Sequence, residues 1–302
     1  MKRKPIFTIL FAALLLFSTA LSAQVKGGSF SPGRGVVLEG QQMESELMDE
    51  PVHYAVYLPP GYREGTQRYP VVYLLHGYSD DETAWIQFGE VQRTANRAIA
   101  SREIPPMIIV MPDAKVTWYI NDYKGETLYE DMIFREFIPH VDSQYRTRPQ
   151  KEFRAVAGLS MGGYGSLIWS LHHPDMFASC AAYSAGIFID DEILRMDERR
   201  YNRWFSKIYG PSENNRLTGH WKKNSVLYLV ETLPVEEIEK VRYYIDCGDD
   251  DFLYVGNSLL HIEMRKREME HEYRVREGAH NWTYWRNHII HGLRFIGDGF
   301  HR

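Results

Sequence analysis

The sequence has little cysteine, no apolar run long enough to span a bilayer, and no excess of positive charge. Cys180 and Cys247 are the only cysteines in 302 residues. An exported chain with two cysteines invites a disulfide, but their placement argues against one. Cys180 opens the predicted strand Cys180–Ser184, whereas Cys247 closes the predicted strand Val241–Asp246. In a parallel sheet these are opposite ends, and five residues at ~3.3 Å each exceed the ~7 Å reach of a bridge. The most apolar stretch, Ile6 to Phe17, is shorter than the ~20 residues a membrane-spanning helix needs. It follows the basic Lys2-Arg3-Lys4 and precedes the mostly small residues Ser18 to Ala23. That order is the pattern of a secretory signal peptide over residues 1–23, with Gln24 opening the mature chain. No cysteine follows the cleavage region, so lipid attachment there is not supported. The expectation is a secreted or periplasmic protein with no stable membrane insertion after cleavage. Removing the leader leaves 32 of the 35 basic residues against 40 acidic ones, a net of −8. Such a balance argues against nucleic acid or another anionic polymer as partner. Internal repeats and low-complexity tracts are also missing.

What is there is an alternation of strands and helices. His53–Leu58 alternates as a strand should, and Val71–Leu75 and Met107–Met111 are continuous apolar runs typical of strands buried on both faces. Phe153–Leu159, Cys180–Ser184, Val241–Asp246 and His271–Val275 complete the set. Helical spacing recurs between them, over Trp85–Ala100, Leu128–Tyr145, Met161–His172, Gly256–Met269 and Trp282–Ile296. This order predicts an α/β domain with a mostly parallel central sheet covered by helices on both faces. Residues 24–50 form an N-terminal extension in which Gly35 to Leu47 can add antiparallel edge strands, and the main domain runs over 51–302. The stretch 186–239 breaks the rhythm with Trp204, Tyr209-Gly210-Pro211, Trp221 and Pro234. A connection that long is read as an insertion that partly caps the site.

The pentapeptide Gly158-Leu159-Ser160-Met161-Gly162 reads G-x-S-x-G and falls between a predicted strand and a predicted helix. A serine on that turn is held in a strained, exposed conformation, with glycines leaving room for close approach. A serine hydroxyl is a poor nucleophile and needs a base, an acid to orient it, and donors for the oxyanion. His280, in Gly278-Ala279-His280-Asn281-Trp282, lies in a loop after a strand, where open α/β sheets keep their sites. His172-His173-Pro174-Asp175 reads as a helix cap and turn, His76 as structural, and the pair His288 and His291 as packing. The acid should come between serine and histidine in the chain. Asp246, Asp249, Asp250 and Asp251 crowd one strand end, without the D-x-D-x-D-G spacing of a calcium loop. Asp251 is the choice, because Phe252 and Leu253 after it can anchor it, and Asp250 is the fallback. The N–H groups of Tyr78, in the turn after Val71–Leu75, and of Met161, at a helix N-terminus, are the expected oxyanion donors.

With these residues in place, the chain resembles the putative-esterase family of α/β hydrolases. That family includes feruloyl esterases of carbohydrate esterase family one, tributyrin-type esterases, S-formylglutathione hydrolases and mycolyltransferases. The resemblance spans roughly Pro51 to Phe300. It rests on Leu74-Leu75-His76-Gly77, Gly158–Gly163, His173-Pro174-Asp175-Met176-Phe177, Gly248–Leu253 and Gly278–Trp282. The family pattern G-x-x-D-F-L places its aspartate on Asp251, although this chain has aspartate at both preceding positions. The resemblance implies an α/β-hydrolase fold, no metal and no organic cofactor. It also implies a substrate pocket lined by aromatics from the loop Trp118-Tyr119-Ile120-Asn121-Asp122, so Trp118 and Tyr119 are expected to contact substrate. The expected function is a secreted serine carboxylic-ester hydrolase working through an acyl-enzyme. Feruloyl or acetyl groups on plant cell-wall polysaccharide are the expected substrates. A generic short-chain acyl esterase and a siderophore esterase are the enzymic alternatives. A non-catalytic glycan-binding module on a hydrolase scaffold is the alternative of another class.

Overall fold

A computed structural model describes residues 33–212 and 216–300; the predicted leader 1–23 lies outside the described residues. Eight strands form one sheet in the order β1-β2-β4-β3-β5-β6-β7-β8. They are β1 Val36–Met43, β2 Val52–Leu58, β3 Val71–Leu75, β4 Ile108–Pro112, β5 Arg154–Leu159, β6 Ser179–Tyr183, β7 Arg242–Gly248 and β8 His271–Arg276. β1 and β2 run antiparallel at one edge, while β3 to β8 are mutually parallel. Of the segment Gly35–Leu47, one strand joins the sheet, with its register shifting between Leu38 and Gln41.

Alternate residues of each central strand enter two separate cores, as a pleat requires. Val71, Tyr73 and Leu75 pack on one face with Leu167, Trp169 and Leu260. Val72 and Leu74 pack on the other with Val91, Ala95, Ile289 and Leu293. The central strands are buried at every position, which is why they read as continuous apolar runs. Cys180 sits opposite Tyr243 and Cys247 opposite Val275, and both thiols are free and buried.

Three segments depart from their expected form. The helix expected over Trp85–Ala100 is two helices, Ala84–Gln87 and Val91–Ala100. Phe88-Gly89-Glu90 interrupts it, with Glu90 at φ 49°. A side chain at Gly89 would meet the rings of Trp85 and Trp282, so the chain turns there and leaves Phe88 half exposed. The helix expected over Leu128–Tyr145 contains a wider π turn at Ile133–Phe137. Pro139, one residue beyond it, cannot donate to the carbonyl four residues back. Among its described residues the stretch 186–239 holds six short helices, from Asp190–Arg195 to Val235–Ile238. None of the helices among the described residues is long and apolar enough to cross a membrane.

Candidate active site

Ser160 stands at the C-terminal end of β5, immediately before helix Met161–His172. Its backbone takes φ 53° and ψ −116°, a conformation L-residues avoid unless the surroundings impose it. Here the Ser160 N–H donates to Tyr183 O at 2.9 Å, and its carbonyl accepts from Gly186 N–H at 2.8 Å. The flanking glycines are steric necessities. A Cβ on Gly158 would come within 2.4 Å of the Gly162 carbonyl oxygen, and one on Gly162 within 2.5 Å of the Leu75 carbonyl oxygen.

The loop after β8 brings His280 over this serine, with Nε2 3.0 Å from Ser160 Oγ. On the other side of the ring, Nδ1 lies 3.0 and 2.9 Å from the two carboxylate oxygens of Asp251. A carboxylate only accepts, so Nδ1 carries the proton and Nε2 is free to take one from the serine hydroxyl. A hydroxyl held this way can pass its proton to the imidazole as the oxygen attacks a carbonyl.

Asp251 is fully buried beyond the end of β7, whereas Asp249 and Asp250 are exposed. Burial alone would raise its pKa. The hydrogen bond and charge of His280, the Leu253 N–H at 2.8 Å and the Ser184 hydroxyl together outweigh burial and hold the carboxyl below its ordinary value. Of the expected apolar anchors, only Leu253 is buried; Phe252 is 55% exposed and lays its ring 4.5 Å from that of His280. The fourth aspartate, Asp246, is fully buried and satisfied by Tyr244, Tyr284 and Arg276.

Sequence reasoning missed two supports. Ser184, at φ 45° just past β6, helps lower the Asp251 pKa with its hydroxyl and accepts the Trp285 indole N–H at 3.0 Å. The buried Asn257 side chain joins Ala185 O to Leu253 O, at 2.9 Å each. It thereby ties the end of β6 to the Asp251 turn. An isolated serine and a mid-helix asparagine carry no sequence signal for such roles.

Met161 opens its helix, so its N–H has no partner within the helix. Tyr78 lies inside the turn that Asp80 N–H closes on Gly77 O at 3.2 Å. The buried His76 braces this turn, with Nδ1 2.8 Å from Gly77 O and Nε2 accepting from Ala114 N–H at 2.8 Å. His76 makes no hydrogen bond to Ser160.

Ser160 and His280 open into a cavity of about 270 Å³. Trp118, Phe188, Trp204 and Tyr78 line one part, and Phe252, Trp282 and Trp285 another. Asp80 is the one acidic side chain in the lining, and burial pushes its carboxyl pKa up. Phe188 and Trp204 come from the stretch 186–239, which also accepts the Trp118 indole N–H at Trp204 O, 3.2 Å away. Tyr119 does not line the cavity. Consecutive positive φ values, 56° at Trp118 and 62° at Tyr119, send the two rings to different places. Tyr119 is fully buried against Gly165, and its hydroxyl donates to His76 O at 3.0 Å. Its contact is with the turn carrying Tyr78, which corrects the expected contact with substrate. His288 and His291 lie with ring centroids 5.8 Å apart. Among the described residues no group of three or more histidine, cysteine or acidic side chains is arranged to hold a metal ion.

The family model described as "Putative esterase" matches residues 45–296. An endo-1,4-β-xylanase/feruloyl esterase of Xylanibacter ruminicola is 35% identical over 149 residues, 46% of this chain but only 20% of that protein. An acetyl esterase of Caldicellulosiruptor saccharolyticus is 25% identical over 230 residues, 74% of this chain and 82% of the relative. A solved ferulic acid esterase superposes with a TM-score of 0.77 at 29% identity, covering 88% of this chain and 99% of the other. An S-formylglutathione hydrolase of Staphylococcus aureus shares the fold, at 22% identity, TM-score 0.68, and 87% and 98% coverage. The sheet order, the strained serine after β5 and a family match over most of the chain agree: this α/β-hydrolase chain belongs to the esterase family and is a carboxylic-ester hydrolase.

Proposed function

We propose that the protein is an exported serine esterase that works through an acyl-enzyme on feruloyl or acetyl groups of plant cell-wall polysaccharide. The observation that carries the mechanism is the unbroken chain from Ser160 Oγ through His280 to the buried Asp251. His280 takes the serine proton as Oγ attacks the ester carbonyl. Asp251 keeps the imidazole in the right tautomer and stabilises its cation. The N–H groups of Tyr78 and Met161 hold the oxyanion, each donor being worth about 3 kcal/mol in the transition state. His280 then protonates the leaving alcohol, and water repeats the sequence to release the acid.

The substrate reading rests on two supports. The cavity walls are aromatic, with Trp118, Phe188 and Trp204 offering flat faces to a planar acyl group. The relatives include proteins named as feruloyl and acetyl esterases. Export rests on the leader pattern of residues 1–23.

A panel of methyl ferulate, acetylated xylan, short and long aryl esters and S-formylglutathione tests the reading. Ferulate or acetyl esters should lead, and Ser160→Ala should lower kcat by about 10⁶-fold. A strong preference for the thioester would overturn the substrate, and full activity of the Ser160 variant would overturn the mechanism.

A further inference from the structure

The cavity has two aromatic walls that meet different atoms of the reaction. One is built on the oxyanion turn. Tyr78 lies 6.3 Å from Trp118 and 6.1 Å from Trp204, and Phe188 packs on both tryptophans. The other is built on the base. His280 contacts Phe252 at 4.5 Å and Trp285 at 4.8 Å, Trp285 contacts Trp282 at 5.4 Å, and Trp282 extends this surface beyond the cavity lining to Phe88 at 5.7 Å.

The chemistry distinguishes these walls. In the tetrahedral intermediate the oxyanion faces the amides of Tyr78 and Met161. The leaving oxygen must face His280 Nε2, because that nitrogen delivers its proton. The alcohol half of the ester therefore leaves along the Phe252–Trp282–Phe88 side. The acyl half occupies the remaining direction, against Trp118, Phe188 and Trp204.

The alcohol side also differs in exposure. Phe88 is 50% exposed and Phe252 is 55% exposed. Neither ring is needed to fill a core, and the break at Phe88-Gly89-Glu90 holds Phe88 out beside Trp282. Arg286 donates to the Phe88 carbonyl and Glu90 pairs with Arg93, so the aromatic surface has a polar margin. An open apolar platform with a polar margin fits a ring whose faces are C–H and whose edge is hydroxyl.

We propose that Phe88, Trp282 and Phe252 form a carbohydrate subsite that stacks the sugar ring bearing the ester, on the leaving-group side of Ser160. The inference rests on the esterase mechanism above and names the alcohol that the mechanism releases.

The test uses matched esters that differ only in the alcohol: a feruloyl arabinofuranoside against methyl ferulate, and acetylated xylotriose against methyl acetate. For the wild type, kcat/KM should favour the sugar ester by at least about tenfold, mostly through KM. Phe88→Ala and Phe252→Ala should each cut the ratio of sugar to methyl ester several-fold, and the double variant should bring it close to one. Both rings are half exposed, and circular dichroism melts verify that the variants fold. A wild-type ratio near one, or a ratio unmoved by the double variant, would overturn the subsite. If neither feruloyl nor acetyl methyl ester turns over, the acyl assignment fails instead. The same matched pair is then built on the acyl group that is cleaved, and the ratio still decides.

Discussion

Of two buried histidine–carboxylate assemblies, His280 with Asp251 and the pair His172 and His173 with Glu130, only the first faces a cavity with a serine. At the first, His280 bridges the buried Asp251 and Ser160 Oγ. At the second, Glu130 Oε1 accepts from His172 Nδ1 at 2.8 Å and from His173 Nε2 at 2.9 Å. The carboxylates are alike: both are buried, and in both the partner histidines outweigh burial and lower the pKa, that of Glu130 to about 2. The difference is what meets the far nitrogen. His172 Nε2 faces the carbonyl of Lys223 at 2.9 Å. With an acceptor on each side, that ring satisfies both only when it carries two protons. Burial disfavours its charge, yet Glu130 and the carbonyl overcome this and raise its pKa. His280 has an acceptor on one side and a serine hydroxyl on the other, so its far nitrogen is placed to take the hydroxyl proton. The same pair of residue types is a fixed clamp in one place and a proton relay in the other.

Exchanging the two histidines for alanine should break the comparison most sharply. His280→Ala should lower kcat on an aryl acetate by about 10⁵-fold or more in its folded fraction, and should also cost stability because it leaves the buried Asp251 without its partner. His172→Ala should keep the activity of its folded fraction within a few-fold and lose about 3 kcal/mol of stability in urea unfolding. A large kcat loss in a well-folded His172 variant would show that the clamp is coupled to the chemistry.

The carboxylates should divide in the same way, by smaller factors. Asp251→Asn leaves the relay geometry but favours the wrong tautomer, and an effect of about 10⁴-fold on kcat is expected. Glu130→Gln should act on stability alone, through the loss of a buried charged acceptor shared by two histidines, by about 3 kcal/mol. Steady-state kinetics and denaturant titration on each variant separate the two outcomes.

The clamp also has a pH signature. Glu130 has a folded pKa of about 2, below its ordinary value of 4.5. Its contribution is complete above about pH 4.5 and is lost as the pH falls toward 2. His172 is shifted the other way, above its ordinary value of 6.5. Its contribution is complete below about pH 6.5 and fades as the pH rises through the folded pKa. The melting temperature of wild type minus that of Glu130→Gln should therefore be largest between about pH 4.5 and 6.5 and shrink on both sides. A difference that stays flat from pH 3 to 9 would remove the clamp from the account.

The contrast also marks what the chain discloses without its fold. Ser160, His280 and Asp251 could be chosen from neighbours, because each follows a strand and steric demands put glycine close by. Their geometry brings them together at 3.0 Å or less. The orientation of loop side chains was not legible. Trp118 and Tyr119 are adjacent, and only the two left-handed conformations decide that one ring lines the cavity while the other lies behind the oxyanion turn. The Phe252 side chain was misplaced for the same reason, since apolar character alone does not tell an anchor from a cavity wall. The clamp was half legible. His172-His173 reads as a helix cap from its own segment, but Glu130 is 42 residues away from His172 in the chain, and no local pattern links them. Trp204 lies in a helix of seven residues, too brief for periodicity to show which face turns inward, and Phe188 lies in the irregular segment before the first helix of its stretch.

The smallest expected effect tests the most delicate choice, between Asp251 and its neighbour Asp250. The two carboxyls are adjacent on one turn, yet Asp251 is 1% exposed and Asp250 lies on the surface. Asp250 contributes its backbone N–H to Gly278 O at 3.0 Å, a bond that any residue but proline preserves. Its side chain faces solvent, where substitutions usually change stability by no more than about 0.5 kcal/mol. Asp250→Asn should therefore leave kcat and KM on an aryl acetate within about twofold of wild type. Removing a negative charge on the turn that carries the relay should also leave the pH profile of kcat/KM almost in place, because water screens an exposed carboxylate far better than a buried one. If the Asp250 variant loses as much activity as Asp251→Asn, the two aspartates act as a unit, and the single-acid relay gives way to a shared one.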